Sequence, residues 1–214
     1  MDERLKGAIE SGDLEAAERL LGEEPRLAHE CEGALSAVML AAYYKRPGIA
    51  SALLRVRGTA DLFEAAALGL DERIGALIGW DPRATIARSD DGFTALHLAS
   101  YFGHATGVRR LLDAGAYVEA VAENRSRVRP LHSGVAGGNI EVVEALLTAG
   151  AEVEVRQEGG FTPLMGAAAG GSEAMVRRLL EAGADKGART DDGQSALDLA
   201  REHDHAHLED LLGE

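Results

Sequence analysis

Four segments of this chain repeat one pattern at a nearly constant distance. They are "DGFTALHLASYFGH" from Asp91, "SRVRPLHSGVAGGN" from Ser126, "GGFTPLMGAAAGGS" from Gly159 and "DGQSALDLAREHDH" from Asp192, at steps of 35, 33 and 33 residues. A second marker, Leu-Leu-x-x-Gly-Ala, keeps the same register. Such a period is the signature of a repeat architecture, because each unit must bury its apolar face against its neighbours. The chain is therefore expected to fold as a stack of similar units.

Weaker copies extend the pattern towards the first residue. "GDLEAAERLLGEEPR" from Gly12 matches "GLDERIGALIGWDPR" from Gly69, and "SAVMLAAYYKRPGIASALL" from Ser36 lies between them. We count seven units, and we expect residues 1–214 to form one domain. The units lie near residues 1–32, 33–56, 57–90, 91–125, 126–158, 159–191 and 192–214, the second being short because only 24 residues separate its start from that of the third.

Each unit predicts two short helices. In the fourth unit, Thr94 stands where an N-cap is expected, and its hydroxyl can accept a backbone N–H of the first turn. Gly103 and Gly115 follow the two apolar stretches and predict helix ends with positive φ. Apolar residues make up 46% of the chain and aromatic residues only 4%, which favours closely packed helices with an Ala, Leu and Val core. The predicted fold class is all-α.

These segments resemble the ankyrin repeat. "DGFTALHLASYFGH" and "FTPLMGAAAGG" are similar to its D-G-x-T-P-L-H-x-A-A-x-x-G-H pattern, and the second marker to its L-L-x-x-G-A-D. The resemblance is strong across residues 91–200 and weaker before them. It implies a solenoid of helix-turn-helix units with short β-hairpin fingers, whose concave groove usually binds proteins. Two departures stand out: the second unit leaves no room for a finger, and the finger at 119–128 is two residues longer than its neighbours.

Composition argues against several classes of function. The formal net charge is −14, which opposes binding to nucleic acid and to anionic membranes. The start "MDERLKGAIE" lacks the pattern of a signal peptide, and the apolar run at 34–44 is too short to span a bilayer. The single Cys31 favours a reducing, cytoplasmic location. We expect a monomer without a cofactor, and not an enzyme.

The segment "REHDHAHLED" at 201–210 holds three histidines and four carboxylates. His205 takes the position that His104 has in the fourth unit, so the repeat accounts for it. His203 precedes the predicted turn and His207 begins the second helix, so they do not form the pair on one helix that a His-Glu-x-x-His metal site requires. A polar cap at the end of the stack is favoured. The alternative is a metal-dependent or small-molecule-acting protein that uses this end of the chain.

Several arginine residues lie in the predicted fingers. One group clusters on the longer finger, and another recurs at one position in several units; they are Arg125, Arg127 and Arg129, and Arg88, Arg156 and Arg189. An acidic peptide could dock on such a row, or the charges could balance nearby acids. Both interpretations stay open at this point.

The aromatic residues are the most informative group, since the chain has only nine. Six take positions that line the groove in proteins of the family or that lie at the base of a finger; they are Tyr43, Tyr44, Tyr101, Phe102, Phe93 and Phe161. Aromatic side chains are favoured at interfaces, so we predict that these six bind a partner. The alternative is that they fill space between small alanines. Phe63 and Trp80 are interpreted as structural.

The resulting prediction is a protein–protein interaction module. It binds an unidentified protein through the concave groove and the fingers, and it has no catalytic or metal-binding residues. The aromatic strip, together with Arg125 and Arg127, is the predicted partner-binding site.

Overall fold

The computed structural model describes residues 1–213, so Glu214, the last residue of the seventh unit, lies outside the described residues. Pairs of helices follow one another along the chain. They are α1 (Glu3–Ser11) and α2 (Leu14–Glu23), α3 (Ala37–Tyr43) and α4 (Pro47–Arg57), α5 (Leu62–Leu68) and α6 (Asp71–Trp80), α7 (Ala95–Tyr101) and α8 (Ala105–Asp113), α9 (Pro130–Gly137) and α10 (Ile140–Thr148), α11 (Pro163–Ala169) and α12 (Glu173–Glu181), and α13 (Ala196–Glu202) and α14 (Glu209–Leu212).

The first helices of successive pairs pack side by side from α1 to α13, and the second helices lie behind them. The predicted all-α solenoid is confirmed. Across residues 1–213, every helix falls short of the length and apolar character that crossing a membrane requires.

The residues that begin and end the helices are those that the repeat predicts. The hydroxyl groups of Thr94 and Ser195 each accept a hydrogen bond from the backbone N–H three residues further on, at 3.4 and 3.2 Å. Gly103 follows α7 with a φ of +80°. Lys45 and Asp204 take the same position in their units with φ values of +56° and +62°, so the backbone keeps its path without glycine. The repeat thus sets the helix ends even where one residue departs from it.

The fifth unit starts its first helix without a capping hydroxyl. Arg129 stands at the N-cap and makes no side-chain capping bond. Nδ1 of His132 still accepts the Arg129 N–H at 3.2 Å, as Nδ1 of His97 accepts the Thr94 N–H in the fourth unit. Pro130 at the first helical position has no N–H to satisfy. Arg129 itself forms an ion pair with Glu119. The fifth unit therefore lacks the capping hydroxyl bond but keeps the histidine bond, and the arginine side chain pairs across the finger instead.

The fingers are joined to one another in the C-terminal part of the stack. Backbone N–H groups of Glu123, Glu158 and Asp191 each donate to a carbonyl of the preceding finger, at 2.9, 3.0 and 2.9 Å. The first finger, strands β1 (Cys31–Glu32) and β2 (Leu35–Ser36), pairs only within itself as an antiparallel hairpin. The second and third units have no finger between them, because the short connection at residues 58–61 leads directly from α4 to α5.

The hydrophobic core divides near the missing finger. One cluster of buried residues runs from Leu5 to Leu53, and the other runs from Met39 to Leu212. Partly buried Leu35 packs against both clusters. Met39 and Ala42 of the second unit belong to the second cluster, so apolar contact crosses the junction, but α3 packs on α5 less extensively than α5 packs on α7.

A buried carboxylate bridges this junction. Glu64 in α5 is 0% exposed and forms an ion pair with Arg57 at the end of α4. Its carboxylate also accepts from the Ser36 hydroxyl at 2.6 Å and from the Asp61 N–H at 3.1 Å. Because one carboxylate receives bonds from three segments, it ties the second unit to the third with polar bonds in place of the missing finger.

We propose that residues 1–214 form one domain whose weakest interface lies at this junction. In repeat proteins, stability is approximately a sum of unit terms and nearest-neighbour interface terms. Residues 5–54 should therefore open at a free energy about 1–2 kcal/mol lower than residues 91–200, the scale of the few inter-finger hydrogen bonds that they lack. Native-state hydrogen exchange measures both values. Equal or greater protection in residues 5–54 would count against this proposal.

Candidate protein-binding groove

A cavity of about 290 Å³ opens on the concave side, between the first helices of the fourth and fifth units and the long finger. Three of the six predicted aromatic residues, Tyr43, Phe93 and Tyr101, line it. Tyr101 is 43% exposed, whereas Tyr43 and Phe93 are half-buried. The structure therefore brings half of the predicted strip to one site.

The cavity forms where large and small side chains alternate along the groove. Tyr43, Ala67, Tyr101 and Ala136 each lie two residues before the residue with positive φ that ends the first helix, in the second to fifth units. The small Ala67 lets Tyr43 reach the ring of Tyr101, with the centroids 6.1 Å apart. On the other side, Ala136 leaves open the space that a third tyrosine would fill, and it lines the cavity. The depth of the groove here follows directly from this pattern of large and small residues.

The other three aromatic residues lie outside the cavity. Phe102 supports it from behind, since its ring lies 5.2 Å from the rings of both Tyr43 and Tyr101. Tyr44 is 42% exposed and its hydroxyl donates to Glu10 at 3.2 Å. Phe161 is half-buried and packs on the core. The strip is therefore a cluster of four rings around one cavity, with Tyr44 and Phe161 apart from it.

Two buried histidines line the inner part of the cavity. Nε2–H of His97 donates to the Val128 carbonyl at 3.1 Å, and Nδ1 accepts the Thr94 N–H at 3.3 Å. Nε2–H of His132 donates to the Phe161 carbonyl at 3.2 Å. Each histidine thus links its helix to the next finger. Burial lowers the pKa of both imidazoles to about 4, so they are neutral at physiological pH.

Sequence reasoning missed the opposite wall of the cavity. This wall consists of small and polar residues from α9 and the fingers: Ser126, Val128, Ser133, Ala136 and Gln157. A signal was present in the sequence, because Ala136 stands where the second and fourth units have tyrosine. The two-residue insertion in the finger also marked the place where Ser126 and Val128 reach the groove.

The finger arginines separate into two kinds. Arg88 pairs with Glu123 at 2.9 Å, and Arg156 donates to the carbonyls of Gly160 and Arg189 at 3.2 and 2.8 Å. Arg189 donates to Gly193 at 2.8 Å, and Arg129 is paired as described above. These four brace the fingers. Arg125 and Arg127 are exposed and, across residues 1–213, make no ion pair or side-chain hydrogen bond.

The interpretation of Trp80 as structural is wrong. Its side chain is 87% exposed at the end of α6. Trp80 occupies the position that Glu23 holds at the end of α2 in the first unit, and Glu23 is exposed as well. Phe63, by contrast, packs against the core.

The C-terminal histidines are used in bonds between units. Nε2 of His205 lies 3.1 Å from the Ala169 carbonyl, and Nε2 of His207 lies 3.1 Å from the Gly171 carbonyl. His104 makes the matching bond to Ala67 at 3.0 Å, which supports the assignment of His205 to a repeat position. Within residues 1–213, no three His, Cys, Asp or Glu side chains group in a way that could hold a metal ion.

The fold and the groove define a class of protein, a helical-repeat solenoid with a concave cavity walled by its fingers. The family profile described as "Ankyrin repeats (3 copies)" matches residues 5–121, 62–157 and 131–214. The chain belongs to the ankyrin-repeat family. Ankyrin repeats are in general protein–protein interaction modules and are typically not enzymatic.

Relatives share only part of their length with this chain. It is 31% identical over 201 residues to E3 ubiquitin-protein ligase XBAT32 of Arabidopsis thaliana, covering 75% of this chain and 39% of that protein. It is 36% identical over 110 residues to human ankyrin repeat and SOCS box protein 16, covering 48% of this chain and 24% of that protein. It is 36% identical over 93 residues to a Caenorhabditis elegans homolog of transient receptor potential cation channel subfamily A member 1, covering 44% of this chain and 8% of that protein. The match thus spans less than half of each relative.

Proposed function

We propose that this protein binds a partner protein through the cavity on its concave face. The proposal rests on the cavity itself, which has a volume of about 290 Å³. Tyr43, Phe93 and Tyr101 line it, in a chain that has only nine aromatic residues. This volume lies just below the range of roughly 300–1,000 Å³ for small-molecule pockets, so it suits one bulky apolar side chain of a partner. Aromatic residues around such a recess are typical of interface hot spots.

The proposed mechanism is recognition without chemistry. The two buried histidines are occupied in structural hydrogen bonds and are held neutral, so they position the fingers and do not exchange protons near pH 7. An apolar side chain that enters the recess removes the exposed parts of Tyr101 and Ala136 from water. The single thiol, Cys31, favours a cytoplasmic site of action, and monomeric binding is part of the proposal.

Filling the cavity tests this function with little disturbance to the fold. In Ala136→Tyr, the new side chain takes a position where this chain already carries tyrosine twice, at Tyr43 and Tyr101. We expect folding to be retained and partner binding to fall by about 2 kcal/mol or more, roughly thirtyfold, the scale of a lost hot spot. Quantitative pull-down from the cells that express the protein, with circular dichroism of each variant, measures both.

The matched control is Glu144→Tyr, which adds the same side chain at an exposed position of α10 in the same unit. This control should retain every partner. Retention of all partners by folded Ala136→Tyr would contradict the proposed function.

A further inference from the structure

We infer that the partner segment carries carboxylate groups next to its apolar anchor, and that Arg125 and Arg127 bind them. The inference rests on the proposed function, since it concerns the chemistry of the segment that enters the same groove. Both arginines lie on the long finger, and Ser126, between them in the chain, lines the cavity. The cation site and the apolar recess are therefore neighbours along the backbone.

The first observation is that these two cations are free while the other finger arginines are engaged. In a chain with a net charge of −14, acidic groups outnumber basic groups, and yet no carboxylate within residues 1–213 pairs with Arg125 or Arg127. Their guanidinium groups keep all of their N–H donors available. Guanidinium binds carboxylate through two parallel hydrogen bonds, which gives geometric selection as well as attraction.

The second observation is a recess that these arginines share with Arg88. It encloses about 500 Å³ at the long finger, and its charged lining holds three guanidinium groups against two carboxylates, Glu123 and Glu158. Nη1 of Arg88 is buried in the protein without a hydrogen-bond partner among the described residues, although its Nε pairs with Glu123. An unpaired buried donor is costly, so the pair with Glu123 leaves the Arg88 guanidinium only partly satisfied. The recess thus has a net positive charge, and one of its three guanidinium groups is only partly satisfied within the protein.

The third observation is that the finger holds this arrangement firmly. The Asn124 side chain donates to the Asp91 carbonyl at 2.9 Å and accepts from the Ser126 N–H at 3.0 Å. Arg127 has a φ of +51°, an unfavourable value for a residue with a side chain, and its N–H donates to the Asn124 carbonyl at 3.3 Å. Strained backbone of this kind persists where the surroundings fix it and is common at ligand sites. A finger ordered before binding loses little conformational entropy on association.

These observations point to an extended acidic segment, in which a bulky apolar residue enters the cavity and one or more Asp or Glu residues within about three positions reach the finger. Selection from a displayed library of random peptides on the full chain tests this. The wild-type protein should enrich peptides of that pattern. Binding of the selected peptides should fall about tenfold in the double variant Arg125→Gln and Arg127→Gln, the scale of two exposed charge-assisted pairs.

The control for net charge is the double variant Arg109→Gln and Arg110→Gln, which removes two positive charges from exposed positions on α8. It should bind the selected peptides as the wild type does. Peptides that lose binding in Ala136→Tyr but show no excess of Asp or Glu, or that ignore the Arg125 and Arg127 changes, would overturn the acidic-segment inference and leave the proposed function in place. Peptides that bind Ala136→Tyr as well as wild type would overturn both.

Discussion

Replacing Gly137 with alanine should destabilise the protein by about 3 kcal/mol or more, the upper part of the range for overpacking. A Cβ at this position would lie 2.2 Å from the Tyr101 carbonyl oxygen and 3.0 Å from that of Ser100. Both contacts are with the backbone of α7, so no side chain can move to relieve them. The helices α7 and α9 would have to separate, and their spacing frames the cavity. Urea unfolding followed by circular dichroism gives the loss of free energy.

The matched control is Gly79→Ala in α6, where an added Cβ meets no atom within 4 Å. Since alanine is the better helix former, this variant should gain several tenths of a kcal/mol, up to about 1 kcal/mol. Equal stability of wild type and Gly137→Ala would mean that α7 and α9 are not packed as closely as described.

Acid should weaken the fold through His97 and His132. Their pKa in the folded protein is about 4 because burial disfavours the imidazolium, whereas an unfolded chain binds the proton near pH 6.5. Between these values the unfolded state holds more protons, so the free energy of unfolding falls as the pH falls. For two groups the loss between pH 7 and pH 5 is on the order of 3–4 kcal/mol, at about 1.4 kcal/mol for each unit of pKa.

The chain itself offers the variant that isolates this effect. Met39 and Met165 occupy the same position in the second and sixth units, so His97→Met and His132→Met are compatible with the fold. The double variant should lose most of the change in stability between pH 7 and pH 5, measured by urea unfolding at each pH. An unchanged pH dependence would show that these histidines are not buried in the neutral form.

The repeat register predicted most of the fold because it fixes backbone geometry locally. Thr94 and Ser195 cap their helices, and Gly103 ends one with a positive φ, whatever lies further along the chain. Lys45 and Asp204 show that the register holds even where the preferred residue is absent. The absence of a finger between the second and third units could be predicted for the same reason, since the connection there is too short to form a hairpin.

The site was only partly predictable because it depends on contacts between units. The cavity exists because Ala67 and Ala136 flank Tyr101, so that Tyr43 reaches across one unit and a recess opens on the next. No single repeat contains that information. Glu64 is a comparable case, since its burial depends on Arg57 and Ser36 from the preceding unit. Trp80 was misjudged because residue type was weighed above position, although the first unit has the charged and exposed Glu23 at the same position.

The most direct test of the concave cavity as the binding site is photo-crosslinking of the partner complex from defined positions. A photo-reactive amino acid at Gln157, on the finger wall of the cavity, should crosslink to the partner. The same amino acid at Glu144, exposed on α10, should not. Crosslinks from Glu144 with none from Gln157, in complexes of equal affinity, would place the partner on the opposite face and contradict the account.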